Sequence, residues 1–114
     1  MAAAAAAISA IGLAMGSPKG TIPWVTLSID YDKTWSADPA LWQQFARSAS
    51  SRGHIVLLVT NRSSGSAEVI RESGPYVHRV IMAGPMPKRE AAARHGYTVD
   101  VWIDDRPETV RDGR

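Results

Sequence analysis

The chain has 114 residues, enough for one domain and too few for a second full core. Hydrophobic residues make up 45% and charged residues 21%, which argues against a disordered chain; a formal net charge of +2 is too weak to argue for nucleic acid, although it fits an anionic substrate. The absence of cysteine removes disulfides, thiolate zinc sites and cysteine nucleophiles, and is compatible with a reducing cytoplasm, the expected localisation.

The stretch Ala2 to Met15 is apolar and Ala-rich. It is shorter than the roughly 20 apolar residues that span a bilayer, and it lacks the positive residues that open a secretory signal. A leader, an appended tail and a first helix packed on the domain or a partner all fit it, with a processed signal as the remaining alternative. Gly16-Ser17-Pro18-Lys19-Gly20 breaks any helix, so residues 1–20 read as a segment and linker and 21–114 as the domain. Trp24 to Ile29 (WVTLSI) is short, β-branched and apolar, and predicts a strand ending at Asp30. Asp38-Pro39 is a helix start, because Asp can cap and Pro suits the first helical position. That helix runs to about Arg52, with Leu41, Trp42, Phe45 and Ala49 on one face and Gly53 as its stop.

Ile55 to Val59 (IVLLV) is a continuous apolar run, as in a strand covered on both faces, and ends at Thr60. Ser64 to Ser73 predicts a second helix stopped by Gly74-Pro75. His78 to Ala83 predicts a third, weaker strand, with Gly84-Pro85 as a turn. Pro87 to His95 predicts a short helix with Gly96 as its stop. Val99 to Ile103 (VDVWI) predicts a fourth strand ending at Asp104, and Pro107 suits the start of a last helix. Alternating strands and helices imply βαβ units and an α/β fold: a Rossmann-like three-layer sandwich with a mainly parallel four-stranded sheet. The expected strand order is 4-1-2-3.

Three apolar strands each end in a polar cluster: Asp30-Tyr31-Asp32, Thr60-Asn61-Arg62 and Asp104-Asp105. Open parallel sheets bind ligands outside the carboxyl ends of their strands, where strand order reverses. Carboxylates, a hydroxyl and an arginine are therefore delivered to the edge where such folds place their sites. Taken alone, this composition gives a metal-friendly acidic crevice.

These residues also resemble a family. LSIDYDKT is similar to the first motif of the haloacid dehalogenase-like (HAD) superfamily, an apolar strand followed by Asp-x-Asp-x-Thr. IVLLVT at 55–60 resembles the second motif, Lys88 falls where the lysine of the third belongs, and VWIDD at 101–105 resembles the acidic fourth. The order differs from that of a receiver domain, in which the acidic pair follows the first strand. The resemblance implies a Mg²⁺-dependent phosphohydrolase with Asp30 as nucleophile and Asp32 as acid/base. It implies Thr60 and Lys88 on the phosphoryl oxygens, with Asn61 and Arg62 as further candidates for substrate contact. Metal ligation is expected from Asp30, the Asp32 main-chain carbonyl and Asp104, with Asp105 in direct contact or one shell out.

Structural roles compete at each position. Asp32 also fits a turn residue, Thr60 a strand-end hydroxyl bonded to backbone, Lys88 a solvated helix residue, and Asp105 a helix N-cap. Trp35 fits either packing or a pocket wall. Arg106 can pair with the acidic cluster, and His54, His78 and His95 fit no metal spacing.

The segment between the first motif and Asp38 has no room for a cap domain, nor has Gly84 to Pro87. The family's short flap is reduced to Trp35-Ser36-Ala37, and Lys33 stands where Gly is frequent. A capless site implies an open-site phosphorylated substrate such as a nucleotide, nucleic-acid end or phosphoprotein, with no membrane partner. A homo-oligomer can complete such a pocket. The competing expectation is a catalytically weak binding or regulatory domain that holds metal and phosphate.

Overall fold

The computed structural model describes residues 24–114; the Ala-rich segment and its linker lie outside them. Four strands alternate with four helices: β1 Thr26–Ile29, α1 Pro39–Ser51, β2 Ile55–Thr60, α2 Ser66–Ser73, β3 Arg79–Met82, α3 Lys88–Arg94, β4 Val101–Ile103 and α4 Glu108–Asp112. All strand pairs are parallel, and the sheet order is β3-β2-β1-β4, the expected order read from the opposite edge.

The strands are apolar on both faces because both are covered. Leu27 and Ile29 of β1 and Val56 and Leu58 of β2 pack with Ala46 and Ala49 of α1 and Val69 of α2. On the opposite face, Leu57 and Val59 of β2 and Ile81 of β3 pack with Ala91 and Ala92 of α3. The result is a three-layer α/β architecture with two apolar cores and one sheet between them.

α1 begins as its sequence dictates: the Asp38 carboxylate accepts from the Leu41 N–H at 3.2 Å, with Pro39 in the first turn. It ends before Gly53, whose φ of +93° lies in the left-handed region that a side chain disfavours. The buried face differs from the expected one. Trp42 and Phe45 are half-buried and Ala49 is buried, but Leu41 is 53% exposed and Ala46 is completely buried. The stripe 42-45-46-49 follows the helical period; Leu41 falls one residue outside it.

Gly74-Pro75 does not simply stop α2: the chain continues as a 3-10 turn over Gly74–Tyr76. Every other element lies within its expected span, trimmed or extended by a few residues at the ends. The amino-terminal edge of the sheet is closed by side chains. Val25 N–H donates to His54 Nδ1 at 3.0 Å, Val56 N–H to His78 Nδ1 at 3.0 Å, and Thr26 N–H to Asp100 Oδ2 at 2.9 Å. The two histidines thus act as backbone acceptors. Among the described residues, no helix is long and apolar enough to cross a membrane.

Candidate active site

Parallel pairing sets the site. Ile29 stands beside Ile103 in the register, and the Asp30 N–H donates to the Ile103 carbonyl at 2.9 Å, which carries the ladder one residue past β1. Asp30 and Asp104 therefore leave the sheet side by side. The chain then turns tightly: Trp35 N–H donates to the Asp30 carbonyl at 3.1 Å and Ser36 N–H to the Tyr31 carbonyl at 2.9 Å. Lys33 takes φ +63° in this turn, a left-handed conformation that glycine would adopt without strain.

Lys88, the first residue of α3, reaches into the same place. Its Nζ donates to Asp30 Oδ1 at 2.8 Å and to Asp104 Oδ2. The Lys88 side chain is 3% exposed, the Asp30 side chain 7% and the Asp104 side chain 2%, so this is a buried charge cluster rather than a surface pair. The reading of Lys88 as a solvated helix residue is thereby overturned. Carboxylate oxygens of Asp30, Asp104 and Asp105 lie within 4.8 Å of one another. Asp105 does not cap α4, which has no side-chain cap.

Three carboxylates face one ammonium, and the electrostatics record the imbalance. Burial pushes the Asp30 carboxyl up from 3.8 to about 7; Lys88 pulls it down, and the hydrogen-bonded Asp105 and the nearby Asp104 push it up. The donor set is all oxygen and anionic, which fits a hard divalent cation such as Mg²⁺. Asp30, Asp104 and Asp105 are the side chains that could hold such an ion.

The remaining predicted residues take distinct positions. Thr60 is buried at the end of β2, and its Oγ1 accepts from the Arg62 N–H at 3.2 Å, leaving the hydroxyl hydrogen free to donate elsewhere. Asn61 turns to the loop before Lys88: its amide nitrogen donates to the Gly84 carbonyl at 2.7 Å and the Met86 carbonyl at 2.9 Å. Gly113 packs against that same loop, where a Cβ would collide with the Pro85 carbonyl.

Asp32 stands apart from the acidic cluster. Its carboxylate is half-exposed and gripped by Arg62, whose Nε donates at 3.0 and 3.2 Å and whose Nη2 donates at 2.9 Å. Hydrogen bonding to Asp32 holds the Arg62 guanidinium still further above its ordinary range. Trp35 is completely buried beside Tyr76, with ring centroids 6.4 Å apart, which makes it packing rather than pocket wall. The Arg106 side chain pairs with Glu108; only its backbone N–H reaches the cluster, donating to Asp104 Oδ1 at 2.9 Å.

Two contributors escaped sequence reasoning. Thr34 is buried and its hydroxyl donates to Asp30 Oδ2 at 3.4 Å; the signal was present, since Thr34 closes Asp-x-Asp-x-Thr. Tyr31 is 2% exposed and donates to Glu72 Oε1 at 2.7 Å, and burial followed by Glu72 pushes its hydroxyl up to about 12. Nothing in the sequence marks that partner, 41 residues away. Comparison with protein-family models, with curated proteins and with solved structures found no match to the chain.

Proposed function

We propose that the chain is a Mg²⁺-dependent phosphohydrolase of the HAD-like type, built on a Rossmann-like core without a cap and working through an aspartyl-phosphate on Asp30. One observation carries the reading: a buried lysine from a distant helix bridges Asp30 and Asp104, with Asp105 beside them. A buried cation among carboxylates is costly to desolvate, and the carboxyl edge of a parallel sheet is where such folds place their ligands. Phosphoryl transfer uses such a cluster, because catalysis there is mainly positioning and charge neutralisation.

The Asp30 carboxylate attacks phosphorus in line and the leaving oxygen departs. Asp32 gives that oxygen a proton, then removes one from the water that cleaves the acyl-phosphate. Lys88 and the Thr60 hydroxyl stabilise the equatorial phosphoryl oxygens. Asp30, Asp104 and Asp105, with the Asp32 carbonyl, would hold Mg²⁺, which would supply the remaining charge neutralisation. Thr34 steadies the second Asp30 oxygen, so that the attacking one keeps its direction. Among the described residues, the tight turn between Asp30 and Asp38 has no room for a cap, which favours a large phosphorylated substrate that excludes water by its own bulk.

The test is hydrolysis of a phosphoester panel with and without Mg²⁺, for the intact chain and Asp30→Asn. Turnover that needs Mg²⁺ and falls at least about 1,000-fold in the variant is expected. Activity retained by Asp30→Asn rules out the covalent route. Mg²⁺ binding without hydrolysis of any substrate supports the binding-domain reading instead.

A further inference from the structure

Arg62 follows Thr60 by two residues at the edge where substrate would arrive, so it invites assignment as a phosphate reader. Its contacts speak against that. Nε and Nη2 are committed to the two Asp32 oxygens, and Nη1 donates to Glu68 Oε1 at 3.3 Å. The guanidinium carbon lies 5.1 Å from the centroid of the Tyr31 ring, a cation–π distance. Tyr31 is itself fixed by burial and by its bond to Glu72 on α2. All three nitrogens of Arg62 thus serve two carboxylates, whose negative charge beside the guanidinium disfavours an incoming phosphate dianion.

Asp32 presents the complementary picture. Its side chain is 52% exposed and, among the described residues, Arg62 is its hydrogen-bond partner. A short side chain on an exposed turn keeps several rotamers open. A planar fork on both carboxylate oxygens selects one.

We infer that Arg62 is a positioning residue: braced by Tyr31 and Glu68, it fixes the direction of the Asp32 carboxylate and does not read substrate. The inference rests on the phosphohydrolase reading, in which Asp32 passes a proton to the leaving oxygen and takes one from water. Arg62 makes and breaks no covalent bond in either step. Its effect is to keep Asp32 in reach, where a displacement of about 1 Å can cost about 100-fold in rate.

Steady-state kinetics on phenyl phosphate with Mg²⁺ test it, using the intact chain, Arg62→Ala, Arg62→Lys, Asp32→Ala, the Arg62→Ala/Asp32→Ala double variant and the milder Glu68→Gln. Arg62→Ala should lower kcat about 10- to 100-fold and leave KM within about twofold. Arg62→Lys should recover only part of the loss, because an ammonium cannot fork. Glu68→Gln should lower kcat less, in the same direction. In the Asp32→Ala background, Arg62→Ala should cost nothing further, since there is no carboxylate left to direct. A raised KM with kcat unchanged would show that Arg62 binds the phosphoryl group, and fully additive losses would separate it from Asp32; either result overturns the inference alone. Wild-type turnover that is absent across phenyl phosphate and the wider phosphoester panel, or indifferent to Asp30→Asn, overturns the underlying reading and the inference with it.

Discussion

Asp30 carries the sharpest consequence of its surroundings. Its folded-state carboxyl titrates near 7 against an ordinary 3.8, with burial as the main cause. Between those values the folded chain keeps a proton that the unfolded chain has released. Stability of the metal-free protein therefore falls as pH rises through that window and levels off above it. Chemical denaturation in chelator at about pH 4.5 and 7.5 checks this, and Asp30→Asn should remove most of the slope. Lys33 gives a second residue-scale test. Its φ of +63° costs a non-glycine residue about 1–2 kcal/mol, partly offset by the greater unfolded-state freedom of glycine. Lys33→Gly should gain up to about 1 kcal/mol in thermal or urea denaturation, and Lys33→Val should lose at least that much. Residue identities at the strand ends were legible because the first, second and fourth strands run straight into them. Their partnerships were not: Lys88 meets Asp30 across 58 positions, and Arg62 meets Asp32 across 30.

Among the elements, α1 shows where pattern reading succeeds and where it slips. Its start was legible because Asp38-Pro39 encodes a local hydrogen bond and a local dihedral, neither of which needs the rest of the fold. Its expected face included Leu41 and left out Ala46; in the fold Leu41 is exposed, and Ala46 is completely buried in the core cluster with Leu27, Ile29, Val56 and Leu58. Substitution should invert the usual hydrophobic expectation. Leu41→Ala removes an exposed side chain and should change stability by no more than about 0.5 kcal/mol. Ala46→Leu forces three extra carbons into a filled core and should cost about 1–3 kcal/mol. Equilibrium denaturation of the two variants decides it, and a larger loss at residue 41 would restore the expected face. The roles of His54, His78 and Asp100 were illegible for a related reason: each side chain accepts from an N–H that only a neighbouring strand supplies.

At the scale of the whole molecule, the strand order turns separate clusters into one site. With β1 between β2 and β4, the residues after three strands converge on one edge, and α3 drops Lys88 into it from the connection after β3. The order itself was legible, since short βαβ connections leave few alternatives. The balance of charge it creates was not, because it depends on how deeply each group is buried. Lys88 offsets part of the repulsion among Asp30, Asp104 and Asp105, and on the proposed reading a divalent cation would act on the same carboxylates. Their contributions should therefore be non-additive. Lys88→Ala leaves two buried carboxylates without their cation and should cost about 3–5 kcal/mol in the absence of metal. Mg²⁺ at about 100 times its Kd should stabilise the wild type by about 2.7 kcal/mol. In Lys88→Ala the same Mg²⁺ should give more, because the carboxylates it neutralises begin further from balance. Thermal melts of both proteins across a Mg²⁺ titration measure the difference, with Asp104→Asn as the control that should lose much of the Mg²⁺ effect. Equal Mg²⁺ shifts in wild type and Lys88→Ala would mean that lysine and metal do not share these carboxylates, and the crevice would then be a structural ion cluster whose charge is already settled by Lys88.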